Sequence, residues 1–450
     1  MGNTLEAQLQ SWVEATCHNP VKSLKLIPGG ASRRSYSVTL NNGNRYFLRV
    51  DTGEGPLSGT EMNLDRERRF ITPVCGRDLP VPAIIAHDEL LNALLIEHVE
   101  GFTSYQKTLP HDSQRKLEAQ LIWTVVELQK LDLAELGVPD FESRRNVGDA
   151  IDESLAMWRN LYETRVPDKD PVTMFALEWL ANNVPDRDRP SVLVHGDVGP
   201  GNFLFSQDGE LAALIDWELA HIGHPLEDLA CILCRALGVD FGSPDHLIGE
   251  YEAASGQPVN REHLNYCVVL MLTEWCVGIQ MGLSRSTVNQ DVAMLFLWGH
   301  VNRFELMRKI GANSGQRMPQ AEPLPTIKME WAYLPDHLTA SMEQVIFPAA
   351  SDEFIRHRTK ALIQLQKVQT ALLRYGVARY EEEEIQRAKK LASAPIETYN
   401  AARQAMLSLA PEAARSGDSV YIEYLLWRTA RERVILADAL GPMAGRGVNY

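Results

Sequence analysis

Residues 193–230 constrain this chain more than any other part of it. They read LVHGDVGPGNFLF, then SQDGELAA, then LIDWELAHIGHPLEDLA. SVLV ahead of His195 reads as a short strand. NFLFSQDGELAALIDW reads as a hairpin turning at Asp208 and Gly209. This puts Asp197 on a loop after a strand, Asn202 five positions later, and Asp216 at the end of the hairpin. One carboxylate can orient an attacking hydroxyl. A second carboxylate and an amide oxygen can hold a divalent cation against phosphates. Phosphoryl transfer needs this set.

The Asp-to-Asn spacing matches H-R-D-x-x-x-x-N of protein kinases, and IDWE stands where D-F-G supplies a metal carboxylate. HGD-x-x-x-x-N followed by I-D-W-E resembles the aminoglycoside phosphotransferase and choline kinase superfamily. The longer form is most similar to the subgroup that includes the kinase-like domain attached to some acyl-CoA dehydrogenases. The resemblance covers about residues 20–310. It implies an α+β, bilobal protein-kinase-like fold with a small antiparallel β lobe and a larger helical lobe, and ATP and Mg²⁺ as cofactors. It makes Asp197 catalytic and Asn202 and Asp216 metal ligands. Glu218 either contacts a second Mg²⁺, as the acid of the choline kinase D-x-E segment does, or is a structural or solvated carboxylate. His195 is expected to order the loop by hydrogen bonding, and Asp228 to anchor helix and loop.

The N-terminal region agrees. Gly29 and Gly30 open GGASRRSY between two strands, and with Ser32 they would let backbone N–H groups approach phosphates. Hairpins carry such glycines too. Arg49, in FLRV, stands where kinases usually have lysine, as is common in the subgroup. Arginine can pair bidentately with phosphate. Glu67, in DRERRF, is the expected helix partner of Arg49; Glu61 and Asp65 are its neighbours there. In LLIEHVEG the family's hinge would read the adenine edge through backbone groups of Glu97 and Val99.

Three segments follow: an N-terminal lobe over 1–100, a helical lobe over 101–320, and a helical extension over 336–450. The first reads as a helix over 4–17, then strand, strand, helix, strand, strand, with a hairpin turn at Asn42 and Gly43. In the second, LEAQLIWTVVELQKL has helical spacing, with more helix over 147–161 and 172–182. The Pro-rich residues 318–335 read as a linker or extended connection. In the extension, Leu362, Leu365, Val368 and Leu372 form a stripe, which favours a bundle docked on its own chain. A dimerisation element, a lid or a partner-docking bundle are the other readings, and a homodimer is among the expected partners.

The net charge of −15 over 450 residues argues against nucleic acid and anionic membrane as partners. Six cysteines make no disulfide framework. Cys231 and Cys234 lie in a buried-looking helix and read as packing residues. His221 and His224 read as loop residues rather than metal ligands. MGNTLEAQLQSW is no signal peptide, and Glu6 argues against myristoylation. No apolar stretch is read as reaching membrane-spanning length; a cytoplasmic location is expected.

The leading expectation is a kinase that phosphorylates a hydroxyl of a small molecule: an antibiotic, an amino alcohol, a sugar or a hydroxyacyl thioester. Trp158, Tyr162, Trp275 and Trp298 are candidates to line the acceptor pocket or to fill the core. The alternative is a pseudokinase or nucleotide-binding regulator. Arg49 favours it; the presence of Asp197, Asn202 and Asp216 opposes it.

Overall fold

The computed structural model describes residues 4–27, 33–104, 109–286, 290–320, 331, 333–375 and 377–450. The chain forms two compact units. One comprises Met1–Glu153, Pro185–Cys267 and Val448–Tyr450; the other comprises Ser154–Val184 and Val268–Gly447.

The first unit holds an antiparallel sheet of β1 (Val21–Ile27), β2 (Arg34–Leu40), β3 (Arg45–Val50), β4 (Ile84–Asp88) and β5 (Ala93–Glu97), in the order β1-β2-β3-β5-β4. The β2–β3 turn closes where Gly43 takes φ +90° and donates to the Leu40 carbonyl. There is one strand more than the sequence reading counted. The addition is β1, an edge strand with a mixed Lys-Ser-Leu-Lys run and no buried residue.

Strand alternation sorts the two faces. Leu48 and Val50 pack with Leu9 and Val13 of the helix Leu5–Cys17, in one apolar cluster with Tyr36, Val38 and Leu95. Phe47 points the other way and packs with Leu94, Ile96 and Leu64. Leu64 opens the helix Leu64–Val74, which Asn63 caps by accepting from the Arg66 N–H at 2.9 Å. The same alternation carries Arg49 toward that helix.

Two small sheets follow. β6 (Val192–Val194) pairs with β9 (His221–Gly223), and β7 (Phe203–Phe205) with β8 (Leu211–Leu214). The β7–β8 hairpin is the one read at Asp208 and Gly209. β9 corrects the loop reading of His221: it pairs opposite Val194. The helix Glu227–Arg235 is buried from Glu227 to Cys234. Cys231 and Cys234 are buried free thiols, as a packing role requires.

The second unit is helical. The helices Pro171–Asn182, Val292–Asn313, Tyr399–Ser416 and Ser419–Ile435 share a core, in which Phe175 and Tyr421 stack at 5.7 Å. The helices Val147–Arg165 and Arg261–Ser284 have residues in both units. Arg261–Ser284 is long and apolar enough to cross a membrane, which the sequence reading did not anticipate. Of its most apolar window, 72% is buried inside the protein, the pattern of a core helix. Most of the Pro-rich stretch lies outside the described residues.

Candidate active site

The catalytic segment is held by backbone geometry. Gly196 has φ +81°, and a Cβ there would meet the Leu219 carbonyl oxygen at 2.3 Å, so only glycine fits between β6 and the segment after β8. Asp228 anchors the loop by accepting from the N–H groups of His195 and Gly196, both at 3.0 Å. Burial pushes the Asp228 carboxyl up to about 6, against those hydrogen bonds. His195 is fully buried, and its Nδ1 accepts from the Asp197 N–H at 3.3 Å. Burial lowers its pKa to about 4, so the ring is neutral at neutral pH and orders the loop.

Asp197 sits where two side chains fix both its oxygens. The Asn202 amide donates to Oδ2 at 2.6 Å and to the Asp197 carbonyl at 2.8 Å. This turns the Asn202 carbonyl oxygen away from Asp197. Arg235 makes a two-pronged ion pair, Nη2 to Oδ2 at 2.5 Å and Nε to Oδ1 at 3.1 Å. Burial raises the Asp197 pKa above the ordinary carboxylate value, and Arg235 opposes the rise.

Asp216 follows β8 in the left-handed region at φ +68°, an uncommon conformation for a non-glycine residue and one that clusters at functional sites. Its Oδ1 pairs with Arg49 Nη1 at 2.8 Å. Burial works to raise its pKa, but Arg49 overrides this and holds it below the usual carboxylate value. Arg49 also reaches Glu67 at 2.7 Å and Glu218 at 2.9 Å. Of the three acids near the start of the second helix, Glu67 is therefore the one that meets Arg49. Asp65 pairs with Arg68 instead.

Next to this cluster lies a cavity of about 410 Å³. Phe47, Ile71, Ile96 and Leu204 give it apolar walls; Glu97, Val99, Arg49 and Asp216 also line it. The Glu97 carboxylate accepts from the Ala83 N–H at 3.0 Å. Gly29, Gly30 and Ser32 lie outside the described residues. The structure thus brings together Asp197 with Asn202, and Arg49 with Glu67, Asp216 and Glu218; Glu97 and Val99 line the cavity beside them. Of the acceptor-pocket candidates, Trp158 and Tyr162 are buried. The Tyr162 hydroxyl is bonded to the Asp170 backbone on both sides, which makes it a core residue.

The donor set suits the expected cofactors. Asp216, Glu218 and the Asn202 carbonyl are oxygen donors of the kind Mg²⁺ prefers. An apolar slot ending at a guanidinium suits a base joined to phosphates. Among the described residues no cluster of three or more His, Cys, Asp or Glu could hold a metal.

Sequence reasoning missed two arginines. Arg33 is buried, pairs with Glu67 at 2.8 Å and Glu218 at 3.3 Å, and donates to the Met62 carbonyl. A sequence signal for it was weak, since Arg34 beside it is exposed. Arg235 had a clearer one. Asp228, Cys231 and Arg235 fall at i, i+3 and i+7 of one helix, so the face that anchors the loop also carries Arg235.

Residues 23–265 match the family described as "Phosphotransferase enzyme family" (APH). Acyl-CoA dehydrogenase family member 11 of Gallus gallus is 29% identical over 220 residues, covering 45% of this chain and 28% of that protein. The Homo sapiens protein of that name is 25% identical over 233 residues, covering 50% of this chain and 30% of that one. The chain therefore spans less than a third of these relatives' length. A candidate aminoglycoside phosphotransferase from Ralstonia eutropha superposes with a TM-score of 0.50 at 19% identity, covering 66% of this chain and 94% of that one. That likeness concerns the fold alone.

Proposed function

This chain belongs to the phosphotransferase enzyme family, and from that premise we propose that it transfers the terminal phosphoryl group of ATP, with Mg²⁺, to a hydroxyl of a small molecule. The observation that carries the proposal is the pairing of two clusters on one set of loops. Asp197 is held by Asn202 and Arg235, while Asp216 and Glu218 meet Arg49 at the end of an apolar cavity.

In this reading Asp197 orients the acceptor hydroxyl and takes its proton. Neutral His195 and Asp228 keep the loop in register. Arg49, held by Glu67, binds phosphate oxygens, and Glu97 and Val99 offer backbone groups to the base. Asp216, Asn202 and Glu218 hold Mg²⁺, which supplies charge neutralisation at the phosphates when bound. Most of the acceleration then comes from positioning and electrostatics. The acceptor class is an antibiotic, an amino alcohol, a sugar or a hydroxyacyl-CoA.

A pseudokinase or nucleotide-binding regulator is the second reading. One observation favours it: Arg49 ion-pairs with both acids assigned to the metal. One experiment separates the two. The protein is incubated with Mg²⁺-ATP and pooled aminoglycosides, macrolides, amino alcohols, sugars and hydroxyacyl-CoAs. Mass spectrometry then looks for a species heavier by one phosphoryl group, with Asp197→Asn as control. A product that disappears in the control supports the kinase. Mg²⁺-dependent ATP binding without product favours the regulator, and neither binding nor product sinks both.

A further inference from the structure

We propose that the helical hairpin of residues 333–375 is a self-association face that takes a second copy of this chain. It is independent of the catalytic reading. Twenty large apolar side chains are exposed among the described residues, and ten of them fall between Trp331 and Leu373. Single exposed apolar residues are ordinary; half of the total gathered in a tenth of the chain is not.

The hairpin's geometry makes these residues a face. Its first arm is Tyr333–Ser341, a π-helical turn Met342–Ile346, and Phe347–Ala349. Its second is Glu353–Tyr375. Asp336 pairs with Arg374, and Glu343 with Lys367 at 2.7 Å. Each step forward on the first arm is thus a step back on the second, so the arms run antiparallel in fixed register. Leu334 and Leu338 lie about 40° apart around the first arm, with Val345 exposed in its π-helical turn, and Ile355, Leu362 and Leu373 fall within about 20° of one another around the second. All six are 49–66% exposed.

The rest of the unit uses only one side of the second arm. Ile363, Val368 and Ala371 are buried, and that helix contacts Val292–Asn313 and Ala437–Leu440. No residue of the first arm is buried. Leu362, which the sequence places in the inward stripe with Val368, faces out.

Area and charge select the occupant. The ten side chains are each 49–66% exposed, roughly 100 Å² apiece, so together they pass the about 300–600 Å² of the largest patch on a typical monomer and reach the about 800 Å² per partner of a standard interface. The chain carries a net charge of −15, so two copies repel unless the meeting surface is neutral. Here Asp336 and Glu343 are already neutralised by Arg374 and Lys367 of the same hairpin. Over 333–375 the acids Asp336, Glu343, Asp352 and Glu353 stand against Arg356, Arg358, Lys360, Lys367 and Arg374, a formal charge of +1 in a chain of −15, so this surface meets its own copy across a twofold axis with far less repulsion than the acidic remainder of the chain would impose. Two such hairpins together make a four-helix arrangement.

Sedimentation velocity on the full chain, from about 1 to 100 µM, tests this. The expected result is a species of twice the 50.5 kDa chain mass. Its dissociation constant should not rise as salt is added, because apolar contact holds the face and salt screens only the repulsion between two acidic chains. Leu338→Glu with Leu362→Glu should weaken association by at least about 100-fold, since it places two uncompensated charges on each face. The thermal melt should be unchanged. Should that variant misfold, Val345→Lys, on an arm with no buried residue, decides in its place. A wild-type monomer at the highest concentration overturns the proposal, even if another protein binds the hairpin. So does a dimer that survives the folded variants.

Discussion

Arg235 and Asp197 form a partly sheltered ion pair at the point where the proposed reaction removes a proton. Burial favours the neutral acid at Asp197, and the guanidinium works against it. Without Arg235 the carboxyl titrates higher, and less of it is ionised at neutral pH. Arg235→Met is therefore expected to lower kcat by roughly 10- to 100-fold at pH 7, below the roughly 100- to 10,000-fold that a general base itself contributes, because Arg235 acts through Asp197. The acid limb of the kcat profile should move to higher pH, so that activity recovers as pH rises. ATP affinity should hold, because Arg49 rather than Arg235 lines the cavity. A uniform loss at every pH would show that Arg235 serves only the fold. The pair also shows how far single residues can be read from sequence. Asp197, Asn202 and Asp216 stand out because they lie close along the chain with a spacing that chemistry explains. Arg33 does not, because its partners Glu67 and Glu218 are remote in sequence, and only the sheet and helix bring them to it.

At the level of elements, the hairpins and longer helices were legible because their periodicity is strong. β9 was not: its three residues, His-Ile-Gly, are too short for a period, and pairing with β6 alone defines it. His221 opens β9 and His224 follows it, and the chemistry of both is structural. His221 Nε2 and Glu227 Oε2 lie 2.8 Å apart, and the His224 N–H donates to the other oxygen of Glu227. His224 Nδ1 accepts from the Leu226 N–H at 3.0 Å, so the neutral ring carries its proton on Nε2. Burial lowers the His224 pKa to about 4, opposed by Glu227 and supported by Arg189 and His263. A histidine whose folded pKa lies below its unfolded value stabilises fully above pH 6.5. That contribution is lost as pH falls from 6.5 to 4, because the unfolded chain binds the extra proton. The expected loss is roughly 3 kcal/mol over that window. Asp228, raised to about 6, acts in the opposite sense, favouring the fold as pH falls through 6. His224→Asn keeps an acceptor for Leu226 and removes the titration. Its urea-derived stability should then fall less between pH 6.5 and 4 than that of the wild type. An unchanged slope would assign the acid sensitivity to other groups.

At the scale of the whole molecule, the chain enters the second unit twice, over Ser154–Val184 and again over Val268–Gly447. The sequence shows a Pro-rich stretch near residue 320, which invites a cut there. The packing opposes it. The helix Pro171–Asn182 is buried from Pro171 to Leu180 except at Met174, and Tyr399–Ser416 lies against it. Glu178 accepts from Arg415 at 2.9 Å, and Phe175 stacks on Tyr421. Along Val292–Asn313, Gly311 admits Leu426 so closely that a Cβ would sit 2.9 Å from it. His300 meets Glu432 at 2.9 Å on the same helix pair. A chain ending at Gln320 therefore loses Met406, Tyr421, Leu425 and Leu426 from a shared core. Each such side chain contributes about 1.5–3 kcal/mol by burial, so four of them approach the whole stability of a typical domain, about 5–15 kcal/mol. The truncated chain is expected to aggregate or to melt without a cooperative transition in calorimetry, whereas the full chain melts cooperatively. A truncated chain with an undiminished Tm would mean that residues 321–450 add nothing to that core.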